Sequence, residues 1–141
     1  MGTKAFKATD THGSARFREA EPGHKHAKLS PDPHILKDVE KNIELARIDG
    51  HSIWIYTDGK CISEFKITSL GSTPHSPGEA TAYYVFLDKN NNKIASWDAG
   101  VLPLNCGDNQ VPRRLEGTFD ASKYNDIVDV TFPVPGNFVL C

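Results

Sequence analysis

Two β-hairpins written between Ser52 and Trp97 constrain this chain more than anything else in it. The first reads SIWIY-TDGK-CISEFKITS, with Asp58-Gly59 at its centre, and the second reads TAYYVFLD-KNNN-KIASW. Asp-Gly suits a tight hairpin because a type I′ turn needs positive φ at both central residues, and glycine adopts it at no steric cost. With Asp58 and Gly59 as a two-residue loop, Tyr56 falls opposite Cys61 and Trp54 opposite Ser63. Side chains alternate faces along a strand. Trp54, Tyr56, Cys61, Phe65 and Ile67 then share one face, and Ile53, Ile55, Ile62, Glu64 and Lys66 the other. The first set is the expected core face, because its apolar character persists to the end of the second strand.

The remaining pattern is also that of strands. Tyr83, Val85 and Leu87 alternate with Tyr84, Phe86 and Asp88, a run apolar on both faces that suits a central strand. RRLEGTF (113–119) reads as a strand, ASKYND (121–126) as a turn or single helical turn, and IVDVTF (127–132) as a clean alternating strand ended by Pro133 and Pro135. NFVLC reads as a last short edge strand. Asp32-Pro33 has the look of a helix start, yet Ile43, Leu45 and Arg47 alternate with polar neighbours, so short strands are expected near 35–39 and 43–48 with Lys41-Asn42 in the turn. Residues 1–30 are polar and punctuated by Pro22-Gly23, and read as an extended or partly mobile arm that lays Phe6 and Phe17 on the domain. The domain proper is then 31–141. Seven to nine short strands in 141 residues predict an all-β, single-domain antiparallel β-sandwich or open barrel.

Composition excludes some classes of partner. The net charge of −2 gives no general pull toward nucleic acid or anionic membranes, and no aromatic-basic platform for nucleic acid emerges. No apolar run reaches the roughly 18 residues of a membrane helix, so no membrane insertion is expected. MGTKAFKATDTHGSARF lacks the apolar segment of a signal peptide. Cys61, Cys106 and Cys141 allow at most one internal disulfide. Either all three are free thiols in a reducing compartment, or Cys141 pairs with Cys106 or Cys61.

From about Ile48 onward, IWIYTDGKCISEF, YYVFLDKNNNKI, RRLEGTFDASKYNDIVDVTF and the terminal Cys141 resemble a family of small, uncharacterised β-rich bacterial proteins, largely actinobacterial and often exported. Its members share an aromatic-rich strand, an Asp-Gly turn, an "fLkDanG" hairpin, an "R-x-x-GxFD" segment and a C-terminal cysteine. The resemblance implies a β fold and carries no activity. The family pattern has a cysteine shortly before the first hairpin, a partner for the terminal one. Residues 42–50 here contain none, so that pairing does not transfer.

Few residues have the spacing of chemistry. Asp88, Asn90 and Asn92 match the first half of an EF-hand loop, but Lys93 stands where glycine is required and Ala99 where the bidentate glutamate would be. Turn chemistry is the better reading. His24-x-His26, with His34 nearby, could gather a divalent ion if the arm were extended, because alternate residues project to one side, but no carboxylate sits at ligand spacing, and no metal or cofactor is expected. Arg113 and Arg114 point to opposite faces of a strand, one of them expected to pair with a carboxylate. No G-x-S-x-G or Cys/His signature of a hydrolase is present. The aromatic Trp97 beside Asp98, with Asp88, Asn90 and Asn92 on the neighbouring turn, offers a ring for a sugar face and acceptors for its hydroxyls. The expected function is a non-enzymatic, lectin-like binding module that recognises a glycan or protein through loops 71–79, 88–93 and 98–112. The alternatives are a small hydrolase with its site in the 98–112 loop near His75, and a toxin-associated structural protein assembling through an edge strand.

Overall fold

The structure, a computed structural model, describes residues 5–9, 13–74 and 78–141. In chain order the strands are β1 (Ala5–Phe6), β2 (Gly13–Arg16), β3 (Arg18–Glu21), β4 (His24–Lys28), β5 (His34–Asp38), β6 (Ile43–Tyr56), β7 (Lys60–Ser69), β8 (Ser72–Pro74), β9 (Thr81–Leu87), β10 (Lys93–Val101), β11 (Val111–Thr118), β12 (Asp129–Phe132) and β13 (Phe138–Leu140). Among the described residues a single 3-10 turn, Ala121–Asp126, is held at its start by Asp120, whose carboxylate accepts from the Ser122 amide. The fold is all-β and its strand ladders are antiparallel, as the alternating pattern predicts.

The described strands form three sheets. A six-stranded sheet runs β11-β7-β6-β4-β3, with β5 also on β6; a four-stranded sheet runs β10-β9-β12-β2; a small one runs β1-β13-β8. β4 and β5 occupy the same side of the long strand β6, at its two ends. The six- and four-stranded sheets are joined where the chain passes directly from β2 into β3. There Ser14 and Ser30 exchange backbone hydrogen bonds of 3.0 and 2.9 Å, and the Phe17 amide donates to the Val128 carbonyl at 2.8 Å. One side of the sandwich is thereby closed like a barrel. Between the sheets lie Leu36, Leu45, Ile48, Ile53, Ile55, Ile67, Tyr84, Phe86 and Phe132, all fully buried.

Four expectations are corrected. The described part of the 1–30 stretch does lay Phe6 and Phe17 on the domain, but it is built into the sheets as β1 to β4, with Ala27 and Leu29 also in the core. This accounts for much of the excess over seven to nine strands. The 137–141 strand is central in the small sheet, between β1 and β8. Strands replace the helical alternative at 34–38 and from 43 onward, as expected, but β6 continues without a break to Tyr56. The fourth correction matters most. Ile55 pairs with Cys61 and Trp54 with Ile62, so the first hairpin has a three-residue loop, Thr57-Asp58-Gly59, with only Gly59 at positive φ (+93°). That one-residue slip sends Ile53 and Ile55 inward and turns Trp54 and Tyr56 out.

The cysteines resolve as one of the anticipated alternatives. Cys106 and Cys141 form a disulfide spanning 35 residues, and Cys61 is a buried free thiol. Burial among apolar neighbours pushes the Cys61 thiol up to about 12, so it stays protonated and inert.

Candidate functional site

The residues marked by sequence do not converge. Asp88 Oδ1 accepts from the amides of Asn90 and Asn92, both at 2.9 Å, and those bonds, with that of Asn92 leading, hold its carboxyl below the usual range. Asp98 Oδ1 accepts from the Gly100 amide at 2.9 Å. Asp88 therefore shapes its own turn, and Asp98 the irregularity within β10 between Asp98 and Val101. Asp98 sits opposite Tyr83, six positions along the chain from Asn92, a span of roughly 20 Å. Trp97, expected to offer its ring to a ligand, is 4 % exposed; it stacks on Tyr84 at 5.0 Å and lies against the backbone of Gly117, where a Cβ would collide with the indole.

The loops fare similarly. His75 and part of loop 71–79 lie outside the described residues. The 98–112 connection is strapped down. Asp108 accepts from the Asn105 amide and pairs with Arg113 at 3.1 Å, Arg113 Nε donates to the Pro103 carbonyl, and Cys106 is tied to Cys141. Arg114 is paired as well, with Glu64 and Glu116. The His24-x-His26 pair does not meet His34, which is buried on the inside. Among the described residues no group of three His, Cys, Asp or Glu side chains gathers to hold a metal ion.

What the register does assemble is the outer face of the six-stranded sheet. Across β4, β6, β7 and β11 one row reads His26, Trp54, Ile62, Glu116, and the next reads Lys28, Ser52, Glu64, Arg114. On the other side of the first row, His24 pairs with Tyr56. The His26 ring stacks on Trp54 with centroids 4.8 Å apart and planes 23° apart, and His24 meets Tyr56 at 5.4 Å. All four rings are half-buried. Partial burial, reinforced by His24 and Lys28, lowers the His26 pKa, so the ring on Trp54 is neutral near pH 7 and stacks without carrying charge. Arg114 bonds Glu64 at 3.1 Å and Glu116 at 2.9 Å. Toward β11 the face dips into a cleft of ≈ 500 Å³ lined by Asp49, Gly50, Glu64, Phe65, Lys66, Pro112, Arg113 and Arg114. The face thus offers flat apolar rings beside hydrogen-bonding groups that are already oriented.

A second polar cluster lies inside. His51 Nε2 is 2.6 Å from the Tyr84 hydroxyl and 3.4 Å from Ser63 Oγ, and Ser63 and Tyr84 share a short hydrogen bond. The His34 ring is 5.4 Å from that of His51. His51 Nδ1 is a buried atom without a hydrogen-bond partner among the described residues. Burial lowers the His51 pKa well below its ordinary value and raises that of Tyr84. A serine beside a histidine has the ingredients of a nucleophile and base. Ser63, His51 and Tyr84 are nevertheless sealed, each at most 1 % exposed, and no substrate reaches the hydroxyl. The cluster pairs His51 Nε2 with the Ser63 and Tyr84 hydroxyls between the sheets.

No protein-family model matches this chain, and neither a curated protein nor a solved structure matches it.

Proposed function

We propose that this chain is a non-catalytic glycan-binding domain whose ligand lies along the outer face of the six-stranded sheet, across Trp54 and Tyr56. The observation that carries this reading is the pair of half-exposed aromatic rings on one strand, each braced by a histidine ring from β4. Aromatic faces stack on the C–H faces of sugar rings, and hydroxyls are met by fixed donors and acceptors. Ser52, Glu64, Arg114 and Glu116 stand beside the rings on the same face. Bracing limits the rotamer freedom lost on binding, so the face is preorganised. The sheet is therefore favoured over the loops, since Asp88 already serves its own turn and Asp98 the irregularity within β10.

The Cys106–Cys141 disulfide favours an oxidising compartment, as does the resemblance to exported proteins. A glycan array followed by titration calorimetry tests the reading. Trp54→Ala and Tyr56→Ala are each expected to weaken binding at least about tenfold, or about 1.4 kcal/mol, with far-UV circular dichroism unchanged. If no glycan binds, or binding ignores both substitutions, the reading fails; a protein captured through this face in its place would make the domain a protein-binding module.

A further inference from the structure

Where β2 passes into β3 beside β4, a cleft of ≈ 550 Å³ is lined by Ala15, Arg16, Phe17, Arg18, His26, Lys28 and Ser30. Among the described residues its lining holds three permanent cations and no carboxylate, in a chain whose net charge is −2. Arg16 and Lys28 each have a partner at the margin, Asp129 at 3.3 Å and Asp32 at 3.4 Å, but both cations keep most of their side chains in solvent, at 78 % and 62 % exposure. Such exposed pairs are weak and readily exchanged. Arg18 is exposed, and among the described residues it has no ion-pair partner. It stands directly opposite His26 in the β3–β4 ladder.

His26 joins two surfaces. It lines this cationic cleft and it stacks on Trp54. The aromatic strip and the three cations are therefore contiguous, with one imidazole at the seam. Resting on the glycan reading above, we infer that the ligand is an anionic polysaccharide, one bearing uronate or sulfate groups, with sugar faces on Trp54 and Tyr56 and an anionic group held by Arg16, Arg18 and Lys28. Guanidinium forks match carboxylate and sulfate oxygens two at a time, and lysine adds a mobile point charge. A neutral glycan would use the rings and leave the cations idle. A polyanion without sugar rings would use the cations and ignore Trp54.

The test is calorimetric titration with dextran, polygalacturonate, dextran sulfate and poly-glutamate, at low and at several-fold higher ionic strength. At least one charged polysaccharide is expected to bind about tenfold or more tightly than dextran, and the gap should close as salt screens the cleft. Polygalacturonate and dextran sulfate separate carboxylate from sulfate recognition. Arg18→Gln and Lys28→Gln should each narrow the gap while sparing binding that depends on Trp54; Trp54→Ala should weaken every polysaccharide. Equal, salt-insensitive binding of dextran and the charged chains would overturn this inference and leave the glycan reading standing. Poly-glutamate binding as tightly as the charged polysaccharides, untouched by Trp54→Ala, would also overturn it. If no polysaccharide binds, both readings fall together.

Discussion

Two assemblies of histidine and aromatic rings occupy opposite sides of the same strand, and they are built for different ends. Inside, the His51 ring meets Phe65, Tyr84 and Phe132 edge-on at 5.1, 5.5 and 4.6 Å, and nothing in the cluster reaches solvent. Outside, His26 lies nearly flat on Trp54 and His24 leans on Tyr56, with all four rings half-exposed. The residue types are nearly the same. The backbone decides between them. Gly50, at φ +60°, and His51 together oppose Phe65 in a bulge between the Asp49–Lys66 and Ser52–Glu64 pairs. That extra residue switches the inward positions of β6 from Ile48 to His51, Ile53 and Ile55, and it leaves Ser52, Trp54 and Tyr56 outside. The inner assembly should govern stability and the outer one binding.

The tryptophans provide the largest contrast. Trp97 is stacked on Tyr84 inside, so Trp97→Ala should cost about 3–5 kcal/mol in urea unfolding, the range for deleting a buried aromatic. Trp54→Ala removes a half-exposed stack and should cost about 1 kcal/mol. Equal losses would make Trp54 a core residue and dissolve the comparison.

Titration gives the next contrast. His34 and His51 both have lowered pKa values, with burial as the leading cause for each; for His51 the neighbouring His34 adds to it, and for His34 the Pro31 carbonyl, Asp32 and Asp49 oppose it. A histidine whose folded pKa lies below its unfolded one binds more protons when the chain unfolds. Stability from such groups is fully present above about pH 6.5 and declines as pH falls, with a limiting slope of about 1.4 kcal/mol per pH unit for each histidine. His26 shifts in the same direction but is only partly buried, so it should add less to that slope. Urea unfolding across this range should show the decline in the native sequence and a shallower one in His51→Gln. A flat profile in the native sequence would mean that the inner histidines are not held neutral.

Turn chemistry made the two hairpins legible, but loop length decided the faces and was not written in the residue types. Thr57-Asp58-Gly59 satisfies a two-residue type I′ loop on paper. The structure uses three residues because only Gly59 takes positive φ there, while Asp58 does not. The β-branched Ile53 and Ile55 were the available sign that the other face was the core. The first thirty residues were harder to read because their partners are remote. Arg16 pairs with Asp129, and Ser14 bridges Ser30 through a crossing that no local pattern announces. The cationic cleft shares that opacity, since Arg16, Arg18 and Lys28 meet only where β2 becomes β3. Cys141 had two candidate partners, and the small sheet together with the strapped 98–112 connection selects Cys106.

Smaller perturbations separate the inner network from the bulge that aims it. Ser63→Ala removes the hydroxyl that bonds Tyr84 and leaves that phenol one partner short. A loss of about 1–2 kcal/mol is expected, with glycan binding unchanged. A binding defect without a stability loss would place Ser63 at the ligand and contradict its burial. Gly50 is gentler, because among the described residues a Cβ there would meet no atom within 4 Å. Only the backbone conformation resists substitution, while the amide still donates to Asp32 Oδ1 at 2.9 Å. Gly50→Ala should therefore cost about 1 kcal/mol, and Gly50→Asn less, because asparagine adopts the left-handed region more readily. If alanine were neutral and asparagine no better, Gly50 would not be at positive φ. The bulge would then lose its part in turning His51 inward and Trp54 outward, and the division of β6 into a stabilising face and a binding face would need another cause.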